Sequence, residues 1–141
     1  MPLEVLIVDD SPAMRKFVER VLQLSGLPLG RCRSAADGAQ ALALLRDAPA
    51  DIVLTDINMP EMDGEEFVRE VSEDEGLRKI PILVVSTDHT RQRRDRLFAL
   101  GARGYVAKPF YPEDLRHEIE RVLSGGPAAP GAMQGADLKR T

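Results

Sequence analysis

The sequence has one cysteine, no tryptophan and no long hydrophobic run. A single thiol, Cys32, excludes an internal disulfide and a cysteine-based zinc site, and it is typical of a reducing compartment. The apolar run from Val5 to Val8 stops at two aspartates, so it is too short for a signal peptide or a membrane span. Acids outnumber bases by 23 to 19, which disfavours loose binding to nucleic acid or anionic lipid. We therefore expect a cytoplasmic protein with no direct nucleic-acid binding and no membrane insertion.

The composition indicates one folded domain followed by a tail. The chain has 141 residues, of which 43% are hydrophobic, and this is enough to bury a core without disulfides or metal. Six of the eleven residues from 125 to 135 are Gly or Pro, a composition that sustains neither helix nor strand. The sequence thus predicts a domain over residues 1–124 and a flexible Gly/Pro/Ala-rich tail over residues 125–141.

Strand and helix patterns alternate along the domain. Branched apolar runs typical of buried strands are followed by helical spacing, and the first helix carries Ser11 as its cap and Pro12 at its first position. Five such units predict an α/β fold, in which a doubly wound parallel sheet has helices on both faces. The predicted strands cover residues 5–8, 31–34, 52–54, 82–85 and 104–107.

Polar side chains follow four of these strands. Asp9 and Asp10 end the first strand, Asp56 the third, Ser86 the fourth and Lys108 the fifth. Ligands of such sheets bind beyond the carboxyl ends of the strands, so these groups should meet at one edge. Clustered carboxylates repel one another unless a cation compensates, and oxygen ligands of this kind favour Mg²⁺. The set is suited to phosphoryl transfer, with the carboxylate of Asp56 as the candidate nucleophile.

The combined motifs resemble the response-regulator receiver domain of two-component signalling, and the likeness is greatest to stand-alone chemotaxis-type regulators. The resemblance covers residues 3–124 and implies a flavodoxin-like sheet with strand order 2-1-3-4-5. The motifs that carry it are Val8-Asp9-Asp10-Ser11, Met14-Arg15, Asp37-Gly38, Asp56-Ile57-Asn58-Met59-Pro60, Met62-Asp63-Gly64, Pro81, Ser86, Gly101-Ala102 and Gly104-Tyr105-Val106-Ala107-Lys108-Pro109-Phe110.

The resemblance implies that Asp56 accepts a phosphoryl group from the phosphohistidine of a sensor kinase or a histidine phosphotransfer protein. Mg²⁺ would be bound by Asp10 and Asp56, by Asp9 directly or through water, and by the backbone carbonyl of Asn58. No enzymatic activity is expected beyond Mg²⁺-dependent self-phosphorylation and slow self-dephosphorylation. In that second reaction Asn58 and Asp88, which flank the phosphoryl site, would orient the attacking water.

The resemblance also implies a switch. Lys108 would pair with the phosphoryl group and Ser86 would donate a hydrogen bond to it. The inward movement of Ser86 would make room for Tyr105 to turn inward, which remodels the face of the fourth helix, fifth strand and fifth helix for a downstream protein partner. A cis peptide is expected at Lys108-Pro109. Thr87 is bulkier than the alanine often found there, so we expect slower or less complete switching.

Two other functions compete with this interpretation. An aspartate-nucleophile phosphatase needs a second acid two residues after the nucleophile, and that position is Asn58, which cannot protonate a leaving group. A flavin- or nucleotide-binding module needs a phosphate-cradling first loop, whereas this loop begins with acids. Separately, the arginine cluster that opens the fourth helix predicts either a solvated face or a docking site for an acidic partner; it comprises Arg91, Arg93, Arg94 and Arg96.

Overall fold

The computed structural model describes residues 2–88 and 90–125, which form five strands and five helices. The strands are β1 (Leu3–Val8), β2 (Leu29–Ala35), β3 (Ile52–Thr55), β4 (Ile82–Ser86) and β5 (Gly104–Ala107). The helices are α1 (Pro12–Leu24), α2 (Gly38–Asp47), α3 (Gly64–Glu73), α4 (Arg91–Leu100) and α5 (Pro112–Leu123).

The strands form one parallel sheet in the order β2-β1-β3-β4-β5, so the predicted fold and strand order are confirmed. The order reverses between the neighbouring strands β1 and β3, where Val8 lies opposite Thr55. This is the position at which ligands of open α/β sheets bind. The sequence placed β2 at residues 31–34, but pairing with β1 extends it to Leu29–Ala35. The polar side chains of this edge strand give only a weak strand pattern in the sequence, but backbone hydrogen bonds to β1 stabilise it.

The helices cover both faces of the sheet, as predicted. Helices α1 and α5 pack on one face through apolar residues at helical spacing, and α2, α3 and α4 pack on the other. The first layer includes Val18, Val21, Leu22, Leu115, Ile119 and Val122, and the second includes Ala41, Leu42, Leu45, Phe67, Val68, Val71 and Leu97. Strands buried on both faces explain why their sequences are continuously apolar.

Polar caps begin four of the helices. Ser11 Oγ accepts from the amide of Met14 at 3.2 Å, as the sequence predicts for the start of α1. The carboxylates of Asp37 and Asp63 cap α2 and α3 in the same way, and Thr90 caps α4. Each cap satisfies an amide that the helix leaves unpaired, and it fixes how the chain enters the helix from the preceding loop.

The outer edge of β5 is covered by two side chains of α5. Buried Glu118 accepts a hydrogen bond from the backbone amide of Tyr105 at 3.1 Å, and Arg121 pairs with Glu118 at 2.6 Å. Arg121 also donates to the carbonyl of Arg103 at 3.1 Å. The ion pair therefore occupies two of the backbone groups that a further strand would use.

Three further expectations from the sequence concern the tail, membrane spans and Cys32. The predicted tail over 125–141 lies, apart from Gly125, outside the described residues. Within the described part of the chain, no helix has the length and apolar character needed to cross a membrane. Cys32 is a free thiol on β2, and burial raises its pKa to about 11, which keeps it protonated and unreactive near neutral pH.

Candidate functional site

Three carboxylates meet where β1 and β3 end. Asp9 and Asp10 follow β1, and Asp56 follows β3, with its amide bonded to the carbonyl of Val8 at 2.9 Å. One ligand oxygen from each acid lies within 4.8 Å of the others. Asp9 is buried, Asp56 is half-buried and Asp10 is exposed, so the cluster opens to solvent on one side. The structure thus brings together the three acids that the sequence singles out.

Lys108 reaches the same cluster from the end of β5. Its Nζ lies 3.4 Å from Asp9 Oδ2 and 3.8 Å from Asp56 Oδ2, and its side chain is 11% exposed. Its backbone amide donates to the carbonyl of Ser86 at 2.8 Å, which fixes the start of the side chain beside β4. The peptide that follows, Lys108-Pro109, is cis, as expected. A single ammonium group therefore faces two carboxylates in a largely shielded pocket.

The electrostatic environment of Asp56 disfavours its charged form. Burial raises the pKa of Asp56, whereas the amide of Ile57, which donates at 2.7 Å, and the ammonium group of Lys108 act against that rise. The negative charges of Asp9 and Asp10 raise the pKa of Asp56 further, and the net shift is upward. Because the pocket holds more acids than bases, it favours the entry of a cation.

Gly64 allows the loop after Asp56 to fold back against this acid. The Gly64 amide donates to the carbonyl of Ile57 at 2.6 Å. A Cβ on Gly64 would lie 2.7 Å from the Ile57 Cα and would also collide with the carbonyl oxygen of Asp56. The sequence includes Gly64 in a motif but gives it no role.

Asn58 is exposed on the same loop, and its predicted roles in metal binding and dephosphorylation stay predictions.

Ser86, Asp88 and Tyr105 form one hydrogen-bonded group. Ser86 is buried at the end of β4, and its Oγ accepts from the Asp88 amide at 3.1 Å. Tyr105 is fully buried, and its hydroxyl donates to the backbone carbonyl of Asp88. Burial raises the pKa of Tyr105 to about 12. The structure therefore places Tyr105 inward; the predicted turn that would bring it there is a movement and stays a prediction.

The carboxylate of Asp88 is bonded to residues that follow it in the chain. Oδ1 accepts from the amide and hydroxyl of Thr90 at 3.3 and 3.1 Å, and Oδ2 accepts from Arg93 Nε at 3.3 Å. The hydrogen bond from the Thr90 amide is the main cause that holds the pKa of Asp88 below its usual range. The predicted role of Asp88 in dephosphorylation stays a prediction, and it would require this carboxylate to leave at least one of these partners.

Part of the arginine cluster on α4 pairs within the protein. Arg93 forms an ion pair with Glu65 in the first turn of α3, and Arg96 Nε lies 2.7 Å from the other oxygen of that carboxylate. Arg91 lies 3.8 Å from Asp95 on its own helix. Arg91 and Arg96 remain mostly exposed, as the solvated-face interpretation expects, whereas Arg93 is partly buried against α3. Docking of an acidic partner stays a prediction. Sequence reasoning missed Glu65, since no periodic pattern connects it with α4.

Comparison with protein families and with known proteins gives one consistent result. Residues 5–120 match the model of the response regulator receiver domain. The chain is similar to the chemotaxis protein CheY of Pseudomonas aeruginosa, with 35% identity over 121 residues, covering 86% of this chain and 96% of that protein. It is also similar to chemotaxis protein CheY-3 of Vibrio cholerae, with 32% identity over 121 residues and coverage of 86% and 92%.

A solved structure supports the same likeness. The chemotaxis response regulator CheY4 of Vibrio cholerae superimposes with a TM-score of 0.77 and is 38% identical in sequence. The match covers 86% of this chain and 99% of that one. Sequence and fold therefore agree over the part of the chain that contains the acidic pocket, which consists of Asp9, Asp10, Asp56 and Lys108.

Proposed function

This chain belongs to the response regulator receiver domain family, whose CheY-like members are phosphorylation-dependent switches of two-component systems, and on this premise we propose that Asp56 is its phosphoacceptor. The phosphoryl donor would be the phosphohistidine of a sensor kinase or a histidine phosphotransfer protein. The output would be a change in the face formed by α4, β5 and α5, which a downstream protein partner recognises. We also propose that the protein acts in the cytoplasm and catalyses only its own phosphorylation and slow dephosphorylation.

The donor set of the pocket fits Mg²⁺. Asp9, Asp10 and Asp56 offer carboxylate oxygens close to one another, and the pocket carries an excess of negative charge. Mg²⁺ prefers oxygen ligands and commonly binds through a few carboxylates together with phosphate and water. The Asn58 carbonyl is the further ligand that we assign. When bound, the ion neutralises charge on the transferred phosphoryl oxygens.

Three side chains have separate roles in the proposed phosphoryl transfer. An oxygen of Asp56 forms the new bond to phosphorus, while the bond from phosphorus to the donor nitrogen breaks. Lys108, already within 3.8 Å of Asp56, pairs with a phosphoryl oxygen. Ser86 Oγ accepts from the Asp88 amide, so its own hydroxyl proton can be donated to another phosphoryl oxygen.

The hydrogen bonds of Ser86 connect the reaction to the output face. Asp88 bonds to Ser86 through its amide and to Tyr105 through its carbonyl. A phosphoryl oxygen that draws Ser86 toward Asp56 therefore also displaces the loop between β4 and α4. This displacement moves the loop at the start of α4, and with it the surface that the partner meets.

The observation that carries the proposal is the meeting of Lys108 with Asp9 and Asp56. Lys108 and Asp9 lie 99 positions apart in the chain, yet Nζ and Oδ2 are 3.4 Å apart in a shielded pocket. A structural ion pair needs one acid for one base. Two further carboxylates beside the pair indicate a site prepared for additional positive charge and for a phosphoryl group.

Labelled acetyl phosphate tests this function directly. The purified chain should incorporate one phosphoryl group per molecule when Mg²⁺ is present and none when it is chelated. Asp56→Asn should abolish incorporation, whereas Asp47→Asn, which changes an exposed acid at the end of α2, should leave it intact. Equal labelling of Asp56→Asn, or labelling that is independent of Mg²⁺, would contradict the proposal.

A further inference from the structure

Four charged residues form a latch between α3, α4 and the loop that precedes α4. The latch consists of Glu65, Asp88, Arg93 and Arg96. Arg93 is its centre, because it bonds to Glu65 with one guanidinium nitrogen and to Asp88 with Nε at 3.3 Å. Arg96 adds a second bond to Glu65 at 2.7 Å. Two acids thus face two arginines across three segments of the fold.

The centre of the latch is partly shielded from solvent. The side chains of Glu65 and Arg93 are 18% and 31% exposed, respectively. Ion pairs in such positions are less weakened by salt than fully exposed ones, and a guanidinium group holds two carboxylates with defined geometry. The latch is therefore able to restrain the position of α4 and of the loop before it.

Asp88 connects the latch to Tyr105. Its carboxylate is held by Arg93 and Thr90, and its backbone carbonyl accepts the Tyr105 hydroxyl. Because one residue makes both sets of bonds, the arginine that fixes its side chain also limits how far its carbonyl can move. Tyr105 keeps its partner only while that carbonyl stays in place.

The latch and the acidic pocket use different groups. Asp56 bonds to the Ile57 amide and lies near Lys108, whereas the latch is made by residues of α3, the loop and α4. This part of the restraint on Tyr105 thus comes from charges that the phosphoryl transfer does not consume.

We propose that Glu65 and Arg93 are positioning residues that hold the Asp88 carbonyl in the place where it accepts the Tyr105 hydroxyl, so that Tyr105 favours the inward position whether or not Asp56 is phosphorylated. The consequence for signalling rests on the proposed function. If Tyr105 already favours the inward position, phosphorylation shifts only the remaining outward fraction. Loosening the latch enlarges that fraction and makes the position of Tyr105 depend more strongly on phosphorylation.

Tyrosine fluorescence gives a direct test. The chain contains two tyrosines and no tryptophan, so Tyr111→Phe leaves Tyr105 as the single emitter. Acrylamide, a neutral quencher, then reports how accessible Tyr105 is. In this background, Glu65→Gln and Arg93→Met should each raise the quenching constant several-fold. Acetyl phosphate with Mg²⁺ should return it toward the parent value, while the parent itself should change little.

Matched variants separate the latch from general effects. Glu66→Gln removes the neighbouring acid, which is exposed and lies 4.0 Å from Arg69 on the same helix, and it should leave quenching unchanged. Unchanged quenching in both Glu65→Gln and Arg93→Met, with native circular dichroism, would overturn the proposal. A large loss of quenching on phosphorylation of the parent would do the same. If Glu65→Gln does not fold, the quenching test of the latch rests on Arg93→Met and on Glu65→Asp, which keeps the negative charge.

The outcome for the latch is distinguishable from that for the proposed function. Quenching without a phosphodonor, repeated in an Asp56→Asn background, measures the latch alone and should give the same increase for Glu65→Gln. An absence of phosphoryl labelling at Asp56 would remove the proposed function and leave that result standing.

Discussion

The acidic pocket and the latch both hold charged side chains together, but they do so by different means. In the pocket each charged group follows the end of a strand, and backbone hydrogen bonds such as that from Asp56 to Val8, at 2.9 Å, fix where it begins. In the latch, long side chains reach from the surfaces of two helices and meet at Arg93.

This difference indicates how each region responds to change. The backbone that carries the pocket residues is fixed by the central strands, so its geometry is suited to a reaction that needs fixed distances. The latch can open by rotation of side chains, at a small cost in stability, so it is suited to setting an equilibrium between two positions of a loop.

The largest effect should come from removing the positive charge of the pocket. Lys108→Met should slow phosphoryl incorporation by about 100-fold, because a preorganised charge that stabilises developing negative charge contributes on this scale. Initial rates with acetyl phosphate and Mg²⁺ measure it, and Lys79→Met, at an exposed lysine before β4, is the control. A decrease in rate of less than about threefold would mean that Lys108 is not the main charge that stabilises the transferred phosphoryl group.

The next effect tests how tightly the pocket is packed against its backbone. Gly64→Ala would place a Cβ against the Asp56 carbonyl and 2.7 Å from the Ile57 Cα, so we expect the free energy of unfolding in urea to fall by about 1–3 kcal/mol. Phosphorylation should slow as Asp56 shifts. Gly76→Ala, whose Cβ would lie 3.4 Å from the nearest atom outside its neighbours, serves as the matched control. Equal stability of the two variants would show that the loop moves aside without cost.

Alkaline pH probes Tyr105, which lies between the two regions. Its folded pKa of about 12 exceeds the ordinary value of 10.0, so above pH 10 the unfolded chain loses a proton that the folded chain keeps. This contribution to stability is complete below pH 10 and is lost as the pH rises toward 12. Relative to Tyr105→Phe, the parent should lose about 1 kcal/mol between pH 8 and pH 11 in urea unfolding.

Tyr111→Phe is the companion variant for this measurement, because it removes a hydroxyl from a residue that is 74% exposed. A difference between parent and Tyr105→Phe that stays constant from pH 8 to pH 11 would mean that Tyr105 is hydrated in solution. That result would weaken the connection between Asp88 and β5.

The smallest effect should be the loss of stability when the latch is broken. Glu65→Gln should lower the free energy of unfolding by less than about 1 kcal/mol, since a partly exposed ion pair contributes little to net stability. Urea unfolding at neutral pH measures it, with Glu66→Gln as the control. A loss as large as that expected for Gly64→Ala would mean that the latch is part of the structural framework, and the contrast between the two regions would disappear.

The sequence was informative about the pocket because strand ends are visible in it. Apolar runs stop at Asp9, at Asp56 and before Lys108, and parallel topology brings such ends to one edge. The fold class followed from the same alternation, and the strand order from the family resemblance. The roles of the individual site residues and the division into domain and tail stay predictions.

The latch was invisible in the sequence for a physical reason. Glu65 and Arg93 are 28 positions apart, and each is an ordinary charged residue on a helix that could as well face water. Their meeting depends on how α3 and α4 pack, which hydrophobic periodicity does not specify to the accuracy of a hydrogen bond. The same is true of Glu118, whose burial depends on its closeness to β5.

The carboxylate of Glu118 at the outer edge of β5 affects how other proteins can bind there. An exposed edge strand can pair with another chain through backbone hydrogen bonds. Such β-strand addition leads to both peptide binding and fibril growth. Here the Tyr105 amide is already engaged, and the Arg103 carbonyl likewise. Strand addition at this edge is therefore disfavoured, and a partner that approaches β5 finds mainly the side chains of the flanking helices to recognise.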